Sequence, residues 1–144
     1  MKRSIIAAAF VVAGATFAFA QTDPVAHRIE LMKHAGDATK VVSDMMKGTT
    51  PFDLAKVKET LAVYEKAATE YPTLFPEDSK NGKDSTAAPK VWETKADFDA
   101  QLAKWGKDSA EAANKITDEA SFKSEIRVVL GSCKTCHDDY RIKK

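Results

Sequence analysis

The chain has 144 residues, of which 22 are basic and 21 are acidic, so its formal net charge at pH 7 is +1. This length suffices for one domain with a hydrophobic core. The near balance of charges argues against nucleic acid as a partner. Charged residues make up 30% of the chain and aromatic residues 8%, a composition typical of helical proteins.

Residues 1–20 have the three parts of a secretory signal peptide. Lys2 and Arg3 form a charged start, an apolar run follows, and residues 18–20 form a small-x-small cleavage site. We expect cleavage after Ala20 and a mature chain of residues 21–144 in the periplasm. Loss of the two cations takes the net charge from +1 to −1. The apolar run is short for a retained membrane anchor, and nothing later in the sequence predicts a membrane span.

Two amphipathic helices come first in the mature chain. Apolar residues recur at helical spacing over 24–47, with Asp23 as the capping residue and Gly48 as the stop signal. A second pattern starts with Pro51 at the first helical position and ends at Pro72. Both patterns predict helices with one apolar face and one charged face.

A long connection and two further helices follow. Residues 72–93 contain three prolines and small polar residues, a composition typical of a loop. We expect its ends to be held on the core by Leu74, Phe75, Val91 and Trp92.

The third helix is predicted to start at Thr94 with Asp97 as a capping-box partner. The fourth is capped at Thr117 or Asp118 and ends near Arg141. Four amphipathic helices with two short connections and one long one predict an all-α, antiparallel four-helix bundle.

The last helix carries the sequence Cys-Lys-Thr-Cys-His at residues 133–137, the attachment motif of c-type haem. Two cysteines three residues apart on a helix project from nearly the same face, so the thiols of Cys133 and Cys136 can add to the two vinyl groups of one porphyrin. His137 follows at once, where an imidazole nitrogen can reach the iron. The motif therefore predicts one covalently attached haem c per chain, with His137 as an axial iron ligand.

Zinc binding, dithiol redox chemistry and a structural disulfide each fit this motif less well. A structural zinc site needs about four ligands, and the chain has two cysteines. A thioredoxin-like pair opens a helix after a strand, whereas this motif lies late in a helical pattern. A structural disulfide leaves His137 unexplained. Export together with two cysteines in one such motif fits haem attachment outside the cytoplasm.

The second axial ligand, if there is one, decides whether the iron keeps an open position. The first helix offers five candidates, namely His27, Met32, His34, Met45 and Met46. At about 100° per residue, Met32 lies roughly 40–50° from the centre of the apolar face and His34 about 120° from it. A methionine at such a position also serves as a simple core residue, so periodicity alone leaves the role of Met32 open. Arg28, one turn earlier, is a natural partner for a haem propionate or else a solvated arginine.

These features resemble a class II cytochrome c, the group that includes cytochrome c prime. The resemblance covers essentially the whole mature chain and rests on the C-terminal position of the haem motif and on three segments: Arg28-x-x-Leu31-Met32, Pro89-Lys90-Val91-Trp92 and Tyr140-Arg141. It implies that Met32 occupies the distal position and that Arg141 lies near the proximal histidine. High-spin members of the family leave the distal side open and bind nitric oxide or carbon monoxide, whereas low-spin members use a methionine from this part of the first helix.

The resemblance implies a periplasmic one-electron carrier with His137/Met32 ligation, not an enzyme. Its partners would be periplasmic or membrane-bound redox proteins, and family members occur as monomers or homodimers. The alternative is a five-coordinate protein that binds nitric oxide or carbon monoxide, in which Met32 packs over the iron without bonding. A peroxidase would need a distal acid–base residue, and the inward face of the first helix offers none.

Overall fold

The computed structural model describes residues 23–142. The signal-peptide prediction lies outside these residues. Within them, four long helices and one short helix form the predicted bundle, which confirms the all-α fold class. The helices are α1 (Pro24–Met46), α2 (Leu54–Glu70), α3 (Lys90–Glu93), α4 (Lys95–Lys115) and α5 (Glu119–Tyr140).

The ends of α1 follow the sequence signals. Asp23 Oδ1 accepts a hydrogen bond of 2.8 Å from the backbone N–H of Val25, which satisfies one of the unpaired donors of the first turn. At the other end, Gly48 adopts a φ of 72°, a left-handed conformation that favours glycine and stops the helix.

The start of α2 differs from the prediction. The helix begins at Leu54, and Pro51 lies outside it. The Asp53 carboxylate caps the helix instead, because its Oδ1 accepts hydrogen bonds from the backbone N–H groups of Ala55 at 3.0 Å and Lys56 at 3.1 Å. A carboxylate that satisfies two such donors is a stronger start signal than proline, which merely tolerates the first helical position.

The capping box predicted for Thr94 and Asp97 is wrong. The Thr94 hydroxyl donates a hydrogen bond of 3.1 Å to the carbonyl of Lys90, because the one-turn helix α3 directly precedes it. A capping box does occur at α5. The backbone N–H of Ser121 donates to Asp118 Oδ1 at 2.8 Å, and the N–H of Asp118 donates to Ser121 Oγ at 3.1 Å.

The long connection is held on the bundle where the sequence predicted. Phe75 is buried and packs edge-on against Phe98, with ring centroids 4.9 Å apart. The indole Nε1 of Trp92 donates a hydrogen bond of 3.1 Å to the carbonyl of Phe75. Two short 3₁₀ turns lie within the connection, at Tyr71–Leu74 and Glu77–Ser79.

The core runs along the bundle between the long helices. α2 packs against α1 and α4, and α4 packs against α5, whereas α1 and α5 touch at few positions. Within residues 23–142, no helix is long and apolar enough to cross a bilayer. The largest side chains that are fully buried are Tyr64, Phe98, Phe122, Leu61, Ile116 and Ile126.

Candidate haem-binding site

A cavity of about 710 Å³ separates α1 from α5 at the end of the bundle where α1 begins and α5 ends. This volume is within the range of pockets that hold small molecules and cofactors. α4 and the long connection complete its wall. All six predicted site residues line this one cavity: Arg28, Met32, Cys133, Cys136, His137 and Arg141.

Both cysteines of the motif are free thiols and are half-buried at the cavity wall. Burial raises the pKa of the Cys136 thiol to about 11, and the charges of Cys133 and Asp139 act in the same direction. Burial also raises the pKa of Cys133. Both thiols are therefore protonated at neutral pH, and they are inert until a group that reacts with them enters the cavity.

His137 directly follows Cys136. The sequence pattern predicted a place on the inward face of α5, but the residue is exposed. It still lines the cavity. Partial burial of the imidazole lowers the pKa of His137, and the positive charge of Arg141 adds to this effect while Asp138 opposes it. The neutral imidazole is favoured as a result, and this is the form that can bind a metal.

The geometry separates the five candidates of the first helix. Met32 is half-buried and lines the cavity, whereas the other four do not. His27 lies 3.7 Å from a carboxylate oxygen of Glu70, His34 is exposed, and Met45 is buried in the core. α1 and α5 thus present one thioether and one imidazole to the same cavity.

Arg28 holds the long connection against the start of α1. It is buried, with 3% of its surface exposed. Its Nη1 donates hydrogen bonds to the carbonyl of Leu74 at 2.9 Å and to Ser79 Oγ at 3.0 Å, and its Nη2 donates to the Ser79 carbonyl at 3.2 Å. The guanidinium also lies 4.5 Å from the centroid of the Phe75 ring. Contact of Arg28 with a haem propionate stays a prediction.

The chain beyond the motif is joined to the connection by main-chain hydrogen bonds. The N–H of Ala88 donates to the carbonyl of Tyr140, and the N–H of Ile142 donates to the carbonyl of Thr86, each at 2.8 Å. Arg141 lies between them, exposed at the rim of the cavity. Its positive charge lowers the pKa of His137, and contact of Arg141 with a haem stays a prediction.

Two polar side chains of α4 were missed by the sequence analysis. Gln101 and Trp105 line the cavity, and their atoms Oε1 and Nε1 are buried without a hydrogen-bond partner among residues 23–142. Such atoms are unfavourable unless an occupant satisfies them. The apolar pattern of α4 does not indicate that either residue lines a site, and Trp105 fits that pattern as an ordinary core residue. Two thiols, a neutral imidazole, a large cavity and unsatisfied polar atoms fit a haem with its covalent attachments.

Comparison with known proteins identifies relatives of the whole described chain. The family model for cytochrome c′ matches residues 23–141. Cytochrome c′ of Rhodopseudomonas palustris is 48% identical over 137 residues, which cover 95% of this chain and 94% of that protein. Cytochrome c-556 of Agrobacterium fabrum is 37% identical over 149 residues, covering 100% of this chain and 99% of that protein.

Solved structures agree with these relatives. Cytochrome c′ from R. palustris superposes with a TM-score of 0.84 at 48% identity, covering 86% of this chain and 99% of that one. An NMR-validated structural model of oxidised R. palustris cytochrome c556 superposes with a TM-score of 0.79 at 30% identity, covering 86% and 99%. A triple variant of R. palustris cytochrome c′ replaces a glutamine at the first position, a phenylalanine 31 positions later and a tryptophan 40 positions after that. In this chain Gln21, Phe52 and Trp92 are separated by the same two distances along the sequence.

The cytochrome c′ model spans nearly all of the described chain, and the two relatives match it over 94% and 99% of their own length. The chain therefore belongs to the cytochrome c′ family of class II cytochromes c, whose members carry covalently attached haem c.

Proposed function

We propose that the protein is an exported one-electron carrier with one haem c attached to Cys133 and Cys136. In this proposal His137 is the proximal axial ligand and Met32 the distal one. The observation that carries it is the position of Met32, the one candidate of the first helix that lines the cavity shared with His137. The bound haem supplies a one-electron couple of its iron.

The chain's own residues prepare the site for this role. The depressed pKa of His137 keeps the imidazole neutral and ready to bind. The Met32 thioether is a soft ligand, which raises the reduction potential relative to two histidines.

A second candidate function is the binding of nitric oxide or carbon monoxide at an open distal position. The relative named cytochrome c′ is 48% identical to this chain, and the relative named cytochrome c-556 is 37% identical. The sequence resemblance associates open distal sites with members of the cytochrome c prime type. In that case Met32 would pack over the iron without bonding to it.

We further propose periplasmic export, cleavage after Ala20 and electron exchange with periplasmic or membrane-bound redox proteins. The shared spacing of Gln21, Phe52 and Trp92 supports the cleavage site, because the first residue of the R. palustris variant corresponds to Gln21. The proposal covers both a monomer and a homodimer, and sedimentation of the purified holoprotein distinguishes the two.

The test is the optical spectrum of the purified holoprotein, oxidised and reduced, with carbon monoxide added to the reduced form. We expect a low-spin spectrum with a weak methionine-to-ferric-iron charge-transfer band. Met32→Ala should give a high-spin form that binds carbon monoxide at once. Met46→Ala is the matched control, because Met46 is partly buried on the same helix but does not line the cavity.

Two outcomes contradict the electron-carrier proposal. A high-spin spectrum of the unmodified protein, with immediate binding of carbon monoxide, would establish the gas-binding function instead. An unchanged low-spin spectrum in Met32→Ala would show that another group is the distal ligand.

A further inference from the structure

The long connection contains a dipeptide that can react with itself, Asn81-Gly82. In such a pair the backbone nitrogen of the glycine can attack the side-chain carbonyl carbon of the asparagine, because glycine has no Cβ that would hinder the approach. Asparagine is also among the thermolabile residues of proteins. Whether the reaction occurs depends on how the fold holds these two residues.

Both reacting groups are accessible and weakly held. Asn81 is exposed, lies outside the helices, and its side chain forms no hydrogen bond with another residue of the described range 23–142. The N–H of Gly82 donates to the carbonyl of Ser79 at 3.3 Å, which is longer than the about 2.9–3.0 Å usual for such bonds. Neither the attacking nitrogen nor the side-chain amide is therefore fixed in place.

The packing of the connection on α1 requires the glycine of this pair. A Cβ atom on Gly82 would lie 2.3 Å from Val25 Cγ2 and 3.2 Å from Val25 Cγ1. Glycine is the residue that allows such a close approach between two chain segments. The fold thus keeps an unhindered backbone nitrogen directly after Asn81.

The second asparagine of the chain, Asn114, is in a different setting. It is also exposed, but it lies in α4 and is followed by Lys115. Helical N–H groups point along the axis towards the carbonyls four residues earlier, and the side chain of Lys115 hinders attack by its own nitrogen. Asn114 is therefore a control for Asn81 within the same molecule.

Asn81 lies between two points where the connection is attached to the first turns of α1. On one side, Ser79 accepts hydrogen bonds from Arg28 Nη1 at 3.0 Å and from Arg28 Nη2 at 3.2 Å. On the other side, Gly82 packs against Val25. Because these attachments are so close together in the sequence, a change in main-chain length between them cannot be taken up by a flexible loop.

We propose that Asn81 is a site of spontaneous deamidation and that its iso-aspartyl product releases the long connection from the start of α1. The Gly82 nitrogen bonds to the side-chain carbonyl carbon of Asn81, and the bond from that carbon to Nδ2 breaks. The proton of the Gly82 N–H is carried by water to the departing nitrogen, which leaves as ammonia. Water then opens the cyclic imide at either carbonyl. One product is aspartate, and the other is iso-aspartate, whose main chain is longer by one carbon.

The longer main chain of the iso-aspartyl product cannot keep both attachments. The contact of Gly82 with Val25 has no spare room, and Ser79 is held by hydrogen bonds from a charged group. Loss of either attachment makes local opening of the connection easier. Residues 84–87 of the same connection line the cavity, so deamidation loosens one wall of the cavity in older molecules.

The test incubates the purified holoprotein in warm, mildly alkaline buffer and follows both asparagines by peptide mapping with mass spectrometry. At Asn81 we expect loss of ammonia and gain of water, with aspartyl and iso-aspartyl peptides separated by chromatography. Asn114 should remain an asparagine over the same period. An intact Asn81, or conversion of Asn114 at the same rate, would overturn the proposal.

Two variants separate the effect of the longer main chain from that of the new charge. Amide hydrogen exchange in residues 79–88 should become faster in the incubated unmodified protein. Asn81→Gln keeps the amide but cannot form the same cyclic imide, so its exchange should not change on incubation. Asn81→Asp has the charge on a main chain of ordinary length, and when freshly purified it should exchange as the fresh unmodified protein does.

Two exchange results contradict the proposed release of the connection. One is unchanged exchange in protein that contains iso-aspartate at position 81. The other is equally fast exchange in freshly purified Asn81→Asp, because the charge alone would then account for the loosening.

Discussion

The two ends of the bundle differ in how their interior is filled. At the end where α2 and α5 begin, protein side chains fill it: Phe52 and Phe122 have ring centroids 5.5 Å apart, and Phe122 and Ile126 are fully buried. At the other end, the cavity of about 710 Å³ separates α1 from α5. There the walls include two half-buried thiols and two buried polar atoms without partners among the described residues.

One bundle thus has a packed core at one end and a cofactor site at the other. The filled end buries apolar surface on all four long helices, which stabilises their packing against one another. At the cavity end, two buried polar atoms lack hydrogen-bond partners and apolar side chains lack packing partners, so the stability of this end depends on what it binds. Substitutions at each end can test this division, beginning with the largest effect on the free energy of unfolding.

Removal of a large side chain from the filled end should destabilise the whole bundle. We expect Phe122→Ala to lower the free energy of unfolding by about 3–5 kcal/mol, because it deletes a fully buried ring and leaves a void. Urea unfolding of the holoprotein measures the loss. The optical spectrum of the folded variant should not change, because Phe122 does not line the cavity.

Val128→Ala on the same helix is the control for this change. Val128 is 57% exposed, so its truncation should change the free energy of unfolding by less than about 0.5 kcal/mol. If the folded Phe122→Ala variant showed a changed haem spectrum, the two ends of the bundle would be coupled and the proposed division would be wrong.

At the cavity end, Arg28 should stabilise the connection more than the bundle. We expect Arg28→Met to lower the free energy of local opening of the connection by about 2–3 kcal/mol, since three hydrogen bonds from a buried charged group are lost and Ser79 and Leu74 lose a donor. Amide hydrogen exchange should become faster mainly in residues 79–88. Lys33→Met is the control, because Lys33 forms an exposed ion pair with Asp37 on the same helix. Uniformly faster exchange in all four long helices would contradict this local role.

Local signals in the sequence predicted much of the molecule. Helical periodicity located the four long helices, and the spacing of Cys133, Cys136 and His137 predicted a shared site because three to four residues are about one helical turn. Periodicity also placed Met32 on the inward side of α1, where it lines the cavity.

Features that depend on distant residues were not predictable in this way. The hydrogen bond from Arg28 to Ser79 joins residues 51 positions apart, and no local pattern encodes that pairing. The start of α2 was misplaced because Pro51 and Asp53 are both valid start signals, and the choice between them depends on how the preceding loop leaves α1.

The smallest effect concerns Tyr64, which lies between the two ends of the bundle. Its hydroxyl is 2.8 Å from Thr39 Oγ1, and we expect Tyr64→Phe to lower the free energy of unfolding by about 1 kcal/mol at neutral pH. The Thr39 hydroxyl keeps its hydrogen bond to Ala35, so no buried donor is left unpaired.

The same substitution should have the opposite effect in alkali. Burial raises the pKa of Tyr64 to about 12 from its ordinary value of 10.0, and burial does the same for Tyr71. Above pH 10 the unfolded chain loses these protons while the folded chain keeps them, so stability is fully present below pH 10 and falls as the pH rises towards 12. Each tyrosine contributes a slope of up to about 1.4 kcal/mol per pH unit. Denaturant unfolding at a series of pH values should therefore show a shallower alkaline decline in Tyr64→Phe, and an identical slope in both proteins would mean that Tyr64 ionises as readily in the folded chain as in the unfolded one.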